Sequence, residues 1–183
     1  NNSISRSSDV SGGDGAASMF SQNLDKRYFV TNYVYNQYVD VYSFNTNQLF
    51  QINSESTSNG DFITVQALDS KLGVIYSNYS NSGNYEIAAY YGWDDFLEAD
   101  RNTNAPKIIL TSSQMLANVS ALTVSPFGTD TSTLMVGLEN GSVFKVENAN
   151  TNAAKWTNIS SNKFLGSVSD IEFGINENEI FVT

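Results

Sequence analysis

With no histidine and no cysteine anywhere in its 183 residues, this chain has to do any chemistry with carboxylates, tyrosines or lysines. Imidazole and thiolate metal centres, cysteine nucleophiles and Ser-His-Asp triads are all excluded within it. What could still cut a bond is a pair of acids facing each other across a cleft, one protonated and one ionised. Asp14 and Asp170 fit best, since each precedes or enters an apolar segment of strand character. The competing role for both is turn capping, in which the carboxylate accepts hydrogen bonds from nearby amides, and this is the role the sequence favours. A second gathering is the stretch 90–101, where Tyr91 and Trp93 are suited to stacking on a sugar ring or filling a partner's pocket. Asp94 and Asp95 beside them would accept hydroxyl hydrogen bonds. The alternative is that Trp93, Phe96 and Leu97 anchor this loop to its own sheet. Asp9, Asp14 and the carbonyls of the Gly12-Gly13-Asp14-Gly15 turn offer hard oxygen ligands for Ca2+. No D-x-D-x-D-G loop is present, so a plain glycine turn with no cofactor is the expectation.

The elements that would position these residues are strands. Ten Tyr and eleven Phe among abundant Ser, Thr, Asn and Val favour strands and polar turns over helices. A short apolar strand recurs at Tyr28, Val74, Leu134 and Ile180, at offsets of 46, 60 and 46 residues. A repeat of roughly 40 to 50 residues matches a four-stranded propeller blade, and the longer second unit places its extra residues in a loop. Each recurrence follows another apolar segment, at 18–22, 63–68, 121–125 and 170–173. Each of the first three precedes two more, at 39–44 with 48–52, 85–91 with 107–111, and 141–147 with 155–159. The expected fold is all-β: a propeller segment of three four-stranded antiparallel blades and half of a fourth, at about 12–53, 60–115, 118–160 and 167–183. Residues 1–11, rich in Ser and Asn, read as an N-terminal strap or linker. Because propellers close with roughly 4 to 8 blades, further blades are expected beyond Thr183, with room for others before Asn1. Asn140-Gly141 predicts a type I′ hairpin.

Charge and hydropathy narrow the partners. Nine basic and nineteen acidic residues give a net charge of −10, which repels phosphate backbones and anionic lipid, so nucleic acid is not expected as a partner. No apolar stretch approaches the roughly 20 residues of a membrane span, and no membrane insertion is expected. With an Asn/Ser/Thr-rich, Lys-poor surface, no initiating Met and no leader-like segment, the chain reads as the mature, exported part of a longer precursor, secreted or held at the cell surface.

One turn carries a family signature. Ser43, Asn45, Asn47 and Phe50 form S-x-N-x-N-x-x-F, which resembles the Asp-box, S-x-D-x-G-x-x-W, of bacterial-neuraminidase-repeat and sortilin-type propellers. Asn keeps the ability to bond backbone in a turn and to take positive φ, and Phe keeps an aromatic plug between blades. The stretch 141–146 leading to 155–160 is similar to the family's third and fourth strands, with Trp156 in the place of the box tryptophan and a longer turn at 147–152. The resemblance implies that Phe50 and Trp156 sit at corresponding positions. The Gly12-Gly13-Asp14-Gly15 start is similar to propellers in large surface proteins of gliding Bacteroidota, which implies export by the type IX secretion system. Within that superfamily a sialidase needs an arginine triad, and Arg6, Arg27 and Arg101 do not fall at equivalent blade positions. The expected function is a non-enzymatic surface scaffold that binds protein or polysaccharide, with contact to the secretion machinery. The alternative is the propeller of a xyloglucanase-like glycoside hydrolase that uses Asp14 and Asp170.

Overall fold

The structure, a computed structural model, describes residues 14–15, 17–22, 25–56, 59–93, 104–160 and 165–183. Asp94, Asp95, Phe96 and Leu97, together with Asp9, Arg6, Arg101 and the strap 1–11, lie outside the described residues. Fourteen strands follow one another, with a single 3₁₀ turn at Val34–Asn36 and no α-helix among the described residues. The first sheet is β1 (Ser18–Phe20), β2 (Tyr28–Asn32), β3 (Tyr38–Ser43) and β4 (Gln48–Ser54). The second is β5 (Gln66–Asp69), β6 (Val74–Asn78), β7 (Ile87–Tyr90) and β8 (Lys107–Leu110). The third is β9 (Val119–Val124), β10 (Leu134–Leu138), β11 (Val143–Glu147) and β12 (Lys155–Asn158), and β13 (Ile171–Phe173) with β14 (Ile180–Val182) forms the last. Every pairing is antiparallel between strands consecutive in sequence. The first strand of one sheet touches the first strand of the next, β5 against β9 and β9 against β13. The chain is thus an all-β propeller segment of three four-stranded blades and a two-stranded fourth.

The alternation of side chains along each strand explains the stacking. In β6, Val74 and Tyr76 join Ile87 and Ala89 in facing Leu134, Val136, Phe144 and Val146 of the third blade. On the other face, Ile75, Ala88 and Tyr90 meet Val30, Val41, Phe50 and Ile52 of the first. A strand whose residues are apolar on both faces is buried on both, and all five residues of β6 and of β10 are buried. A smaller core of Met135, Val143, Val168 and Ile171 joins the third blade to the fourth. Gly137 makes this approach close: a Cβ there would lie 2.5 Å from Val168 Cγ1.

Hydrogen bonds between blades fix which loops share a side. On one side, here the connector face, Tyr35 N donates to Asp61 O at 3.0 Å and Gly60 N to Ser80 O at 2.7 Å. There too Glu139 N donates to Asn118 O at 3.0 Å and Val168 N to Leu138 O at 3.1 Å. On the opposite, turn face, Lys71 Nζ donates to Gly128 O at 2.7 Å and Ser132 Oγ to Asp69 Oδ2 at 2.6 Å. Lys145 there lies 3.6 Å from Glu177.

Three local expectations need correction. Leu138 to Ser142 is not a type I′ turn: only Gly141 has positive φ, at 82°, and the bonds Gly141 N to Leu138 O and Leu138 N to Ser142 O close a three-residue loop. The bond from Glu139 N to Asn118 O draws Glu139 into the loop, and such loops need positive φ at one residue only. Second, β5 starts at Gln66 and not at Ile63, because Thr64 Oγ1 donates to Asp61 O at 2.9 Å and accepts from Asn36 N at 2.9 Å. That local bonding takes backbone away from the ladder. Third, Phe50 and Trp156 do not correspond. Phe50, with Val30 and Val41, lies on the face of the first blade that meets the blade after it, whereas Trp156, with Leu134, Val136 and Phe144, lies on the face of the third blade that meets the blade before it. The two rings therefore occupy opposite sides of their sheets, and Trp156 packs edge-on against Phe144 at 5.8 Å. In the turn at 43–50, Asn47 takes φ 53° and Ser43 Oγ accepts from Thr46 N at 3.4 Å. Asn45 bonds not its own backbone but Asp25 O, at 2.8 Å, in the β1–β2 turn.

Candidate functional site

The described residues singled out by chemistry fall on both faces of the segment. Asp14 and Asp170 both sit on the connector face ahead of innermost strands, and both are exposed. Asp170 Oδ1 accepts from Ile171 N at 2.9 Å and so caps the start of β13. Tyr91 lies on the opposite, turn face, 39% exposed, its amide donating to Pro106 O at 3.1 Å. Trp93 requires a correction, since it is 0% exposed and cannot present a ring to a ligand. Its indole stands perpendicular to Tyr28 at 5.0 Å, inside the core between the first two blades. The glycine at 92, at φ 64°, turns the chain back so that the indole enters this gap. Among the described residues no three carboxylates gather around a common point.

Two sites emerge that the sequence did not mark. The first is a polar wedge between the first and second blades. Tyr35 and Asn36 both hold left-handed backbone, φ 57° and 53°, which costs of order 1–3 kcal/mol for a non-glycine residue. The fully buried Asn36 side chain donates to Tyr90 OH at 3.0 Å and accepts from Ser77 Oγ at 2.8 Å. Asn53 Nδ2 donates to Asn36 O at 3.2 Å. Tyr90 OH donates in turn to Glu55 Oε1 at 3.2 Å, Tyr79 OH to Glu55 Oε2 at 2.9 Å, and Lys107 Nζ to Glu55 Oε1 at 2.7 Å. The ammonium also lies 4.4 Å from the centre of the Tyr79 ring. Burial pulls the Lys107 ammonium down, but its bonds to Glu55 and Tyr79 prevail and hold it above its ordinary value. Burial raises the Tyr90 phenol, and the neighbouring Glu55 charge raises it further. Every oxygen of Glu55 is thereby taken by a neighbouring blade element, so the wedge rivets blades and offers no free base.

The second is a cleft of about 500 Å³ on the turn face, where the segments following β1, β5 and β9 converge. Leu68, Val124 and Pro126 give it apolar walls, and Gln22, Ser70, Lys71 and Ser125 give it polar ones. Its shape is held by Asp69, which is buried. Asp69 Oδ1 accepts from Lys71 N at 3.1 Å and Leu72 N at 3.0 Å, while Oδ2 receives Ser132 Oγ of the third blade. Mixed walls with a few placed polar groups are the usual makeup of a ligand site, and this volume falls within the usual range of roughly 300–1,000 Å³. The signal that marks it in the sequence is positional: each lining run directly follows the innermost strand of a repeat. Compared with known proteins, no family model matches the chain and no curated protein matches it, so the reading of this site rests on its geometry.

Proposed function

We propose that this chain is a non-catalytic β-propeller scaffold, exported or held at the cell surface, that binds a protein or polysaccharide through the turn-face cleft. One observation carries the reading: three blades contribute to a single cleft of about 500 Å³ whose polar groups stand on a rigid Asp69 turn. A polar ligand with an apolar face, such as a pyranose ring, would meet Leu68 and Pro126 with the latter and Gln22, Ser70 and Lys71 with its hydroxyls. The resemblance of the 43–50 turn to an Asp-box, the acidic, cysteine-free composition and the propeller architecture support placement among bacterial surface propellers of the neuraminidase-repeat type. Passage through a type IX system is part of the same proposal.

The test is titration of the protein with soluble oligosaccharides and surface-polymer fragments, read by amide chemical shifts. Shifts concentrated at 68–71 and 124–128 are expected, and Ser70→Trp, which fills the cleft, should abolish them while leaving the melting temperature unchanged. Binding that survives Ser70→Trp sinks the assignment.

A further inference from the structure

The connector face carries a pattern independent of the cleft. Each junction between blades exposes large apolar side chains there: Phe62 at 50% and Ile63 at 63% after the first blade, Leu116 at 70% after the second, and Leu165 at 94% after the third. Phe62 is backed edge-on by Tyr35 at 5.6 Å, the residue held in strained left-handed backbone. In the described loops and connectors of this face the charges have one sign. Among the described residues, its loops and connectors hold Asp14, Glu55, Asp61, Glu86, Glu139 and Asp170 and no Lys or Arg. The Lys107 ammonium reaches this side from β8, where Glu55 cancels it. The basic residues of described loops, Lys26, Arg27 and Lys71, all lie in turns of the opposite face.

Exposed apolar side chains at three successive junctions, set among described loops whose charges are acidic, exclude some partners and favour one. Anionic lipid and nucleic acid are repelled. A neutral glycan would leave the carboxylates without partners and gain little from leucines, which lack a flat ring to stack on. We propose that the connector face docks a basic polypeptide segment with apolar side chains, its leucine-like residues meeting Phe62, Leu116 and Leu165 and its lysines or arginines facing Asp61, Glu139 and Asp170. Charge complementarity then steers the encounter and apolar burial holds the complex.

Calorimetry with a synthetic amphipathic peptide of lysine and leucine tests this, using the full chain. We expect binding that the same peptide with glutamate in place of lysine loses, and that weakens as salt rises. The double variant Leu116→Ser with Leu165→Ser should weaken it at least about tenfold, as expected for loss of central apolar contacts. Both residues are exposed, so the fold should be retained, as circular dichroism would verify. Phe127→Ser and Ile175→Ser, on the opposite face, should change nothing. Polylysine binding as tightly as the amphipathic peptide overturns the proposal, as does equal loss in the opposite-face variants. Concentration-dependent dimerisation that the double serine variant abolishes would assign the face to a second copy and also overturn it. Ser70→Trp should leave this binding intact, which separates its failure from failure of the cleft reading.

Discussion

At the scale of single residues, burial decides what the aromatic side chains are for. Trp93 has no accessible surface and closes on Tyr28, so Trp93→Ala should cost about 3–5 kcal/mol, typical of a buried aromatic truncated to a cavity. Ligand affinity per folded molecule should not change. Chemical denaturation combined with a binding titration measures both. Asp14→Ala and Asp170→Ala should leave any glycan hydrolysis within about tenfold, because removing a true general acid or base costs on the order of 10² to 10⁴; a kinetic assay of the two variants decides it. The buried phenols give a pH prediction. Burial raises Tyr76 and Tyr90 above the ordinary phenol range, so the folded state holds those protons more tightly than the unfolded chain. Their contribution is present below about pH 10, where the free phenol titrates, and is lost as pH climbs through the folded values. Tyr79 and Lys107, both also raised, add to the same loss. An absorbance titration should therefore show Tyr76 and Tyr90 ionising only as the protein unfolds, and Tyr90→Phe should remove one of the two from that cooperative step.

At the scale of elements, the strands were legible and their closures were not. Hydrophobic alternation and the repeat offset locate β2, β6, β10 and β14 to within a residue; in β6 and β10 burial on two faces leaves little freedom of register. Turns depend on partners far away in sequence. Asn140-Gly141 favours a two-residue turn locally, yet Asn118 of the preceding connector draws a third residue into it. Thr64 delays β5 because Asn36, 28 residues earlier, needs its hydroxyl. The cleft was hidden for a related reason: Gln22, Ser70 and Pro126 are ordinary turn residues, and only blade stacking brings them to one place. By contrast, Asp170 bonds a nearby amide, that of the adjacent Ile171 at the start of β13. Gly137 illustrates an element-level constraint, since its β10 backbone lies against Val168. Gly137→Ala should destabilise by about 1–3 kcal/mol, the usual cost of overpacking, and Gly137→Ala with Val168→Ala should recover part of it. Thermal melts of the single and double variants measure the coupling.

At the scale of the whole molecule, the two faces divide the work proposed here: a cleft among turns on one side and an apolar, acidic platform on the other. Substitutions on one face should therefore combine additively with those on the other, since sites more than about 7–10 Å apart with no shared partners couple by less than about 0.5 kcal/mol. Isothermal titration of Ser70→Trp combined with Leu116→Ser checks this. The sequential pairing of every strand with its neighbour in the chain has a kinetic consequence. Hairpins between consecutive strands form without long-range loop closures, so each blade can assemble as a local event before it meets the next. Opening, in contrast, has to part whole interfaces, because β6 and β10 are covered on both sides. Amide exchange should then be slowest in β6 and β10, each of which is released only when two neighbouring blades have separated from it.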